Sequence, residues 1–135
     1  MKKVLIVDDE PNIVAALEYL LQHSGYEVRS ASNGEEALAR LAQFAPDLVL
    51  LDIMMPKQSG YEVCQRIRER PQWNRVKIII VSARGREAEV SKGLSLGADL
   101  YLTKPFSNAD LVARIGQHEH QPGMESVVDE VGDLG

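Results

Sequence analysis

Short apolar runs recur along the chain, and each is followed by a polar or turn-forming segment. The runs lie at about residues 3–7, 26–31, 47–51, 76–81 and 100–103. Runs of this length that are rich in valine, isoleucine and leucine are typical of strands that are buried on both faces of a parallel sheet. The pattern therefore predicts five strands, and the run at 76–81 is the most continuous and the best candidate for a central strand.

Between these runs, apolar residues return with helical spacing. Pro11 suits the first turn of a helix because it lacks an N–H group that would have no partner there. An apolar stripe with helical periodicity follows it, and its members are Ile13, Ala16, Leu17, Leu20 and Leu21. Capping patterns at residues 33–36 and 107–110 indicate two further helix starts. Strand and helix thus alternate five times, which predicts an α/β fold with a parallel sheet and helices on both faces.

Reactive side chains follow four of the predicted strands. Asp8 and Asp9 follow the first strand, Asp52 the third, Ser82 the fourth and Lys104 the fifth. Ligands bind beyond the carboxyl ends of the strands in open α/β sheets, so we expect these side chains to meet at one edge. The sequence therefore predicts a site for an anion and a metal ion.

The three carboxylates would repel one another at short range unless a cation lay among them. Magnesium suits such a site, because this hard ion takes oxygen ligands from two or three carboxylates and a phosphate. An alternative remains open at this point: Asp8, Asp9 and Glu10 could simply solvate a loop and favour the N-terminus of the next helix.

Asp52 favours the metal site over that alternative. A carboxylate can attack phosphorus in line, giving an acyl phosphate, when a metal and a cation absorb charge on the transferred oxygens. Ser82 could donate a hydrogen bond to one phosphoryl oxygen, and Lys104 could pair with another.

The composition is that of one globular domain and argues against several classes of function. The chain has 135 residues, of which 44% are hydrophobic and 26% charged. We expect a cytoplasmic protein, because no apolar stretch approaches the roughly 18 residues of a membrane span and the first residues do not resemble a secretion signal. The single cysteine, Cys64, allows neither an internal disulfide nor a zinc site. The sequence also lacks the basic stripe that is typical of nucleic-acid binding.

The net charge of -5 is confined to the end of the chain. Residues 1–117 contain 15 basic and 15 acidic residues, whereas residues 118–135 contain acidic residues and no Lys or Arg. Helical periodicity also ends near Gln117. We therefore expect a domain at 1–117, followed at 118–135 by an acidic flexible tail or a truncated linker.

Five motifs together resemble the receiver domains of response regulators, the phosphoacceptor domains of two-component systems. The motifs lie at residues 4–10, 47–56, 82–83, 97–99 and 104–106. The resemblance covers residues 2–117. It implies a doubly wound (βα)5 flavodoxin-like fold, a three-layer sandwich whose five-stranded parallel sheet has the order 2-1-3-4-5.

This resemblance implies a phosphoacceptor and a metal site. Asp52 is expected to accept the phosphoryl group. The ligands of a Mg²⁺ or Mn²⁺ ion are expected to be Asp52 and three further groups: Asp8, Asp9 and the backbone carbonyl of Met54. A domain of this kind is a signalling module that catalyses only its own phosphorylation and dephosphorylation.

The resemblance also implies how the phosphoryl group is bound and sensed. Ser82 and Lys104 are expected to bind it, and the peptide bond from Lys104 to Pro105 is expected to be cis. When Asp52 is phosphorylated, Ser82 is expected to move toward the phosphoryl group and the ring of Tyr101 to turn into the vacated space. This movement would change the face made by the fourth helix, the fifth strand and the fifth helix.

Two positions beside the site, Met54 and Arg84, are expected to influence the lifetime of the acyl phosphate. Receivers vary at these positions, and here they carry a bulky apolar side chain and a long cation. Both could obstruct the attacking water. We expect a lifetime of minutes or more.

The resemblance implies a sensor histidine kinase or a histidine phosphotransfer protein as donor, and a downstream effector protein or a missing output domain as target. Residues 93–101 and 113–115 are most similar to receivers of winged-helix transcription factors, which dimerise through the fourth helix, fifth strand and fifth helix. That class usually has Asp where this chain has Leu100, although Arg114 could still bond across such an interface. We therefore expect at most a weak, phosphorylation-dependent homodimer, with no direct nucleic-acid binding and no membrane association.

Three alternative functions have specific requirements. Aspartyl-phosphate hydrolases need a second acid two residues after the nucleophile, where this chain has Met54. A flavodoxin-like cofactor binder needs a phosphate-binding loop after the first strand, where Asp8 and Asp9 would repel phosphate. A receiver-like scaffold that works without phosphate would not need the full set of site residues.

Overall fold

The computed structural model describes residues 2–55 and 58–118. The strands are β1 (Lys3–Val7), β2 (Glu27–Ala31), β3 (Leu48–Asp52), β4 (Lys77–Ser82) and β5 (Leu100–Thr103). The helices are α1 (Pro11–His23), α2 (Gly34–Phe44), α3 (Gly60–Arg68), α4 (Glu87–Ser95) and α5 (Asn108–His118). A short 3-10 helix, Pro71–Trp73, follows α3. The predicted alternation of five strands with five helices is confirmed.

All five strands belong to one parallel sheet with the order β2-β1-β3-β4-β5. The chain first adds β2 on one side of β1 and then continues through β3 on the other side, so the strand order reverses between β1 and β3. In doubly wound sheets ligands bind at this reversal, beyond the carboxyl ends of the strands. The flavodoxin-like fold is confirmed. β4 has a neighbour on each side, although β3 takes the middle position.

Successive residues of each strand face two separate apolar layers. Leu5 and Val7 of β1 belong to a layer that also contains side chains of α2, α3 and α4. Val4 and Ile6 pack on the opposite face with side chains of α1 and α5. We call these the α2–α4 layer and the α1–α5 layer. Each fully buried Leu or Ile contributes about 1.5–3 kcal/mol, and the two layers together fix the strands from both sides.

Side-chain caps define two helix starts that the sequence predicted. At α2, the carboxamide oxygen of Asn33 accepts a hydrogen bond from the N–H of Glu36 at 2.8 Å. The Glu36 carboxylate in turn accepts one from the N–H of Ser32 at 3.1 Å, one residue earlier than in the usual reciprocal arrangement. At α5, the hydroxyl of Ser107 accepts a hydrogen bond from the N–H of Asp110 at 3.0 Å. These caps satisfy donors that the helices leave free.

A hydrogen-bonded network closes the edge of the sheet where the strands begin. The guanidinium of Arg68 donates to the backbone carbonyls of Gly97 at 2.8 Å and Trp73 at 3.2 Å, and to the carboxylate of Asp99 at 2.9 Å. The same Asp99 oxygen accepts a hydrogen bond from the N–H of Ile78. Trp73, whose role the sequence did not define, is buried there. This network connects α3, the start of β4 and the loop before β5.

Two strand ends differ by one residue from the sequence prediction, and the difference concerns the site. Asp52 is the last residue of β3 and Ser82 is the last residue of β4, whereas the apolar runs stop one residue earlier. The hydrogen-bond ladder therefore extends to both polar residues, because Asp52 is paired with Val81 and Ser82 with Thr103.

Helix α5 ends at His118. The prediction of an acidic tail or linker otherwise concerns residues 119–135, which lie outside the described residues. Among the residues that the structure describes, no helix combines the length and the apolar character that a membrane span needs.

Candidate functional site

Three carboxylates meet beyond the ends of β1 and β3. Asp8 and Asp9 directly follow β1, and Asp52 ends β3, its neighbour in the sheet. One oxygen from each carboxylate lies within 4.8 Å of the others. Asp8 and Asp52 are only 3% and 7% exposed, and Asp9 is half-buried. The structure thus brings together the acidic residues that the sequence predicted at this edge.

Burial and mutual repulsion act on these carboxylates. Burial, followed by the charge of Asp8, raises the pKa of Asp52 from 3.8 to about 6. Burial also raises the pKa of Asp8, against the lowering effect of a hydrogen bond from the N–H of Glu10. The ammonium of Lys104 lowers the pKa of both groups but offsets only part of the rise. The acidic triad therefore carries negative charge that is only partly balanced.

The donor set of the triad fits a divalent cation. All three side chains offer carboxylate oxygens, and a hard cation such as Mg²⁺ takes oxygen ligands and retains several waters. The raised pKa of Asp52 gives the same indication, since a nearby cation favours the ionised carboxylate and relieves the repulsion by Asp8. The geometry and the chemistry of these residues therefore agree with a metal site.

The loop after β3 folds back onto the phosphoacceptor candidate. The Asp52 carboxylate accepts a hydrogen bond from the N–H of Met54 at 3.3 Å, and the N–H of Gly60 donates to the carbonyl of Ile53 at 3.0 Å. A Cβ at position 60 would lie 2.3 Å from the Asp52 carbonyl oxygen. Only glycine fits at this position, a requirement that the sequence analysis missed because Gly60 looked like an ordinary loop end.

Ser82 and Lys104 lie at the carboxyl ends of β4 and β5. Ser82 is fully buried, and its hydroxyl accepts a hydrogen bond from the N–H of Arg84 at 3.0 Å. The backbone N–H of Lys104 donates to the carbonyl of Ser82 at 2.7 Å, so the two residues are held together through the main chain. The peptide bond between Lys104 and Pro105 is cis, which is the isomer that the resemblance implies.

The family model of the response regulator receiver domain matches residues 4–116. The chain belongs to this family. The acidic triad is accordingly of the type found at receiver magnesium sites, and its position is consistent with a phosphorylation site. Receiver domains are signalling modules of two-component systems and have histidine kinases as partners. Membership of this family favours the receiver over the hydrolase and cofactor-binding alternatives.

Similar proteins are full-length transcriptional regulators. The chain is 44% identical over 136 residues to the phosphate regulon transcriptional regulatory protein PhoB of Rhizobium meliloti, covering 99% of the chain and 60% of that protein. It is 47% identical over 114 residues to the alkaline phosphatase synthesis transcriptional regulatory protein PhoP of Bacillus subtilis, covering 84% of the chain and 47% of that protein. The receiver thus spans about half the length of the curated relatives it matches.

A solved receiver has the same fold. The BeF3-activated N-terminal receiver domain of Klebsiella pneumoniae RstA superposes with a TM-score of 0.83 at 29% identity, covering 89% of this chain and all of that one. The structural agreement covers 89% of this chain and therefore most of the sheet and helices that position the acidic triad.

Tyr101 of this receiver is buried, with 9% exposure. Its ring belongs to the α2–α4 layer, and its hydroxyl donates a hydrogen bond to the backbone carbonyl of Arg84. Tyr61, which the sequence analysis did not single out, is a half-buried neighbour in the same layer. Its position after Gly60 gave no sequence signal, because only the packing of α3 against α4 brings it close to Tyr101.

The raised pKa of Asp52 predicts that the stability of the receiver depends on pH when divalent cations are absent. Because its folded-state pKa of about 6 exceeds its ordinary value of 3.8, its contribution to stability is fully present below pH 3.8 and is lost as the pH rises through 6. Asp52→Asn stays neutral, so at pH 7.5 in EDTA it should be more stable than wild type by about 2–3 kcal/mol. Urea denaturation should show this advantage narrowing as the pH is lowered to 4. An advantage that grows on acidification would contradict the raised pKa.

Proposed function

We propose that Asp52 accepts a phosphoryl group from the phosphohistidine of a sensor histidine kinase or of a histidine phosphotransfer protein. The observation that carries this proposal is the position of Asp52 at the end of the middle strand, buried beside Asp8 and Asp9. An Asp52 carboxylate oxygen forms the new bond to phosphorus as the bond from phosphorus to the histidine nitrogen breaks. The products are an acyl phosphate and a free imidazole.

Four groups of this chain would hold the metal in this reaction: Asp8, Asp9, Asp52 and the backbone carbonyl of Met54. Bound Mg²⁺, or Mn²⁺ in its place, supplies neutralising charge to the carboxylates and the phosphoryl oxygens. The N–H of Met54 already donates to Asp52, which orients the carboxylate.

Ser82 and Lys104 bind the phosphoryl oxygens in this proposal. The Ser82 hydroxyl donates to one oxygen, and the Lys104 ammonium pairs with another. The support is the shared backbone contact of the two residues, together with the electrostatic influence of Lys104 on Asp8 and Asp52. The movement of Ser82 toward the phosphoryl group then favours the buried position of the Tyr101 ring.

The turn of the Tyr101 ring changes the face made by α4, β5 and α5, which contacts the target. The target is a downstream effector protein or an output domain in the same polypeptide. The second is supported by the relatives, which are longer than this chain and of which it covers 60% and 47%. We place this module in the cytoplasm, where its kinase donor carries phosphohistidine. We expect this chain to make no direct contacts with DNA.

A homodimer through the same face would be weak and would depend on phosphorylation. Leu100, which stands where related receivers usually have Asp, is half-buried against the α1–α5 layer. It therefore cannot form the ion pair that Asp would form with a partner. Arg114 is exposed on α5 and can still form an ion pair across such an interface.

Phosphorylation by a small phosphodonor tests the proposal directly. Incubation of the full chain with acetyl phosphate and MgCl₂ should add one phosphoryl group per chain, as measured by intact-protein mass spectrometry. Peptide mapping after reduction of the acyl phosphate should locate the group at Asp52. Labelling that is unchanged in EDTA, or that maps to another residue, would overturn the proposal.

Met54 is expected to prolong the life of the acyl phosphate. Its side chain is 52% exposed beside Asp52, where it can obstruct the path of the attacking water. Met54→Asn opens this path, so we expect the phosphorylated wild type to survive for minutes or more and the variant to decay about tenfold faster, a barrier change of about 1.4 kcal/mol. Release of inorganic phosphate from the purified phosphoprotein measures both rates. Wild-type decay as fast as that of the variant would contradict this role.

A further inference from the structure

Tyr61 connects α3 to α4. Its hydroxyl donates a hydrogen bond to the backbone carbonyl of Glu89 at 3.1 Å. The ammonium of Lys92, about one turn further along α4, lies 4.5 Å from the centre of the Tyr61 ring, which is within the range of a cation–π contact. One side chain of α3 therefore contacts two successive turns of α4.

Tyr101 contacts the same helix from β5. Its hydroxyl donates to the carbonyl of Arg84, in the segment that leads into α4. Its ring packs against α4 at Gly93, where a Cβ would lie 3.0 Å from Tyr101 Cδ2 and 2.9 Å from Ile80 Cδ1. Helix α4 can approach the buried ring this closely because position 93 has no side chain.

Few side chains of α4 are buried, and its Val90 packs against the α2–α4 layer only partly buried. Gly93 is its one buried residue, and the carboxylate of Glu89 has a buried oxygen, Oε2, without a hydrogen-bond partner among the described residues. A buried polar atom without a partner costs free energy. The position of α4 therefore depends strongly on its contacts with the two tyrosines.

Both tyrosines belong to the α2–α4 layer and both contact α4, Tyr61 at Glu89 and Lys92 and Tyr101 at Gly93. Burial, followed by the influence of Tyr101, raises the pKa of Tyr61 to about 12. A change in the position of the Tyr101 ring that moves α4 therefore changes the surroundings of the Tyr61 hydroxyl as well.

We propose that Tyr61 is a positioning residue that, together with Tyr101, fixes α4 in the position that accompanies a buried Tyr101 ring. The inference rests on the proposed function, in which phosphorylation of Asp52 favours that ring position. Because Tyr61 stabilises the same arrangement, part of the binding energy for a phosphoryl group at Asp52 comes from a residue of α3 that does not touch it.

Beryllium fluoride, a phosphoryl analogue, provides the test in the full chain with MgCl₂. Labelling with 3-fluorotyrosine gives one ¹⁹F NMR signal for each of the four tyrosines, and Tyr→Phe variants assign them. In Tyr61→Phe, the apparent affinity for beryllium fluoride should fall about three- to tenfold, and the Tyr101 signal of the free protein should shift toward that of a solvent-exposed tyrosine. Lys92→Ala, which leaves both hydroxyls in place, should shift the signal in the same direction.

A double-mutant cycle separates this role from general damage to the fold. Tyr101→Phe should also weaken the affinity, and the double variant should lose less than the product of the two single effects, since both tyrosines act through one helix. Tyr19→Phe is the matched control, because Tyr19 is 66% exposed on α1, and it should change neither readout. Mg²⁺ affinity should be the same for all variants, and each should keep a cooperative thermal unfolding transition, with a midpoint lowered by no more than the lost contacts explain.

The outcomes distinguish this inference from the proposed function. An unchanged Tyr101 signal in Tyr61→Phe, or effects that simply multiply in the double variant, would overturn the role of Tyr61. If the wild type failed to bind beryllium fluoride, the function proposed for Asp52 would be wrong. The Tyr101 signal of the free protein would still decide whether Tyr61 positions α4.

Discussion

Asp52→Asn is expected to abolish phosphorylation of this chain by acetyl phosphate in the presence of Mg²⁺. The amide is nearly the same size as the carboxylate, so it preserves the packing at the end of β3, but it lacks the anionic oxygen that attacks phosphorus. We expect labelling at least 100-fold below wild type, which corresponds to about 2.7 kcal/mol or more in the barrier. Intact-protein mass spectrometry over a time course measures this loss.

Asp47→Asn is the matched control for this experiment. Asp47 precedes β3 at the opposite edge of the sheet, where its carboxylate accepts a hydrogen bond from the backbone N–H of Lys3 at 2.9 Å. The same chemical change there should leave phosphorylation at the wild-type rate. Undiminished labelling of Asp52→Asn would remove Asp52 from its proposed role, whereas an equal loss in both variants would indicate a general effect of the charge.

Gly60→Ala is expected to have the largest effect on stability among single-methyl additions in this region. The new Cβ would lie 2.3 Å from the Asp52 carbonyl oxygen and 2.8 Å from the Cα of Ile53. Both are backbone atoms that pairing with β4 and the hydrogen bond from Gly60 hold in place. We expect a loss of about 3 kcal/mol in the free energy of unfolding, as overpacking against main chain produces, and slower phosphorylation because Asp52 is displaced.

Gly116→Ala provides the comparison for this substitution. Gly116 lies within α5, and a Cβ there would have no atom within 4 Å. Alanine should therefore stabilise the chain by about 0.5–1 kcal/mol, because it favours the helix more than glycine does. Urea denaturation of both variants in the same buffer measures the two effects. Similar changes in the two variants would show that helix propensity, rather than the contact with Asp52, decides the outcome at position 60.

The sequence predicted the features that depend on local pattern. The run at 76–81 is apolar at nearly every position because β4 has helices on both faces, and the cap at Asn33 is specified by residues within one turn. The carboxylates could be placed at one edge since the carboxyl ends of parallel strands necessarily coincide there.

Features that depend on packing between distant elements could not be predicted in this way. The sequence did not show that Gly60 lies against the backbone of Asp52, or that Tyr61 reaches the carbonyl of Glu89 across an interface of two helices. Contacts between side chains that are twenty or more residues apart depend on how the helices pack on the sheet. The periodicity of the sequence within one element does not predict them.

The alternation of side chains along β5 divides the protein into a part that can respond and a part that can remain constant. Tyr101 contacts the α2–α4 layer, whereas its neighbours Leu100 and Leu102 contact the α1–α5 layer. A rearrangement that starts at Tyr101 can therefore alter α4 and the face that it makes with β5 and α5, while α1, which lies outside that face, keeps its position. An upstream protein that recognises α1 would meet the same surface before and after phosphorylation, so recognition of the donor and delivery of the signal need not compete.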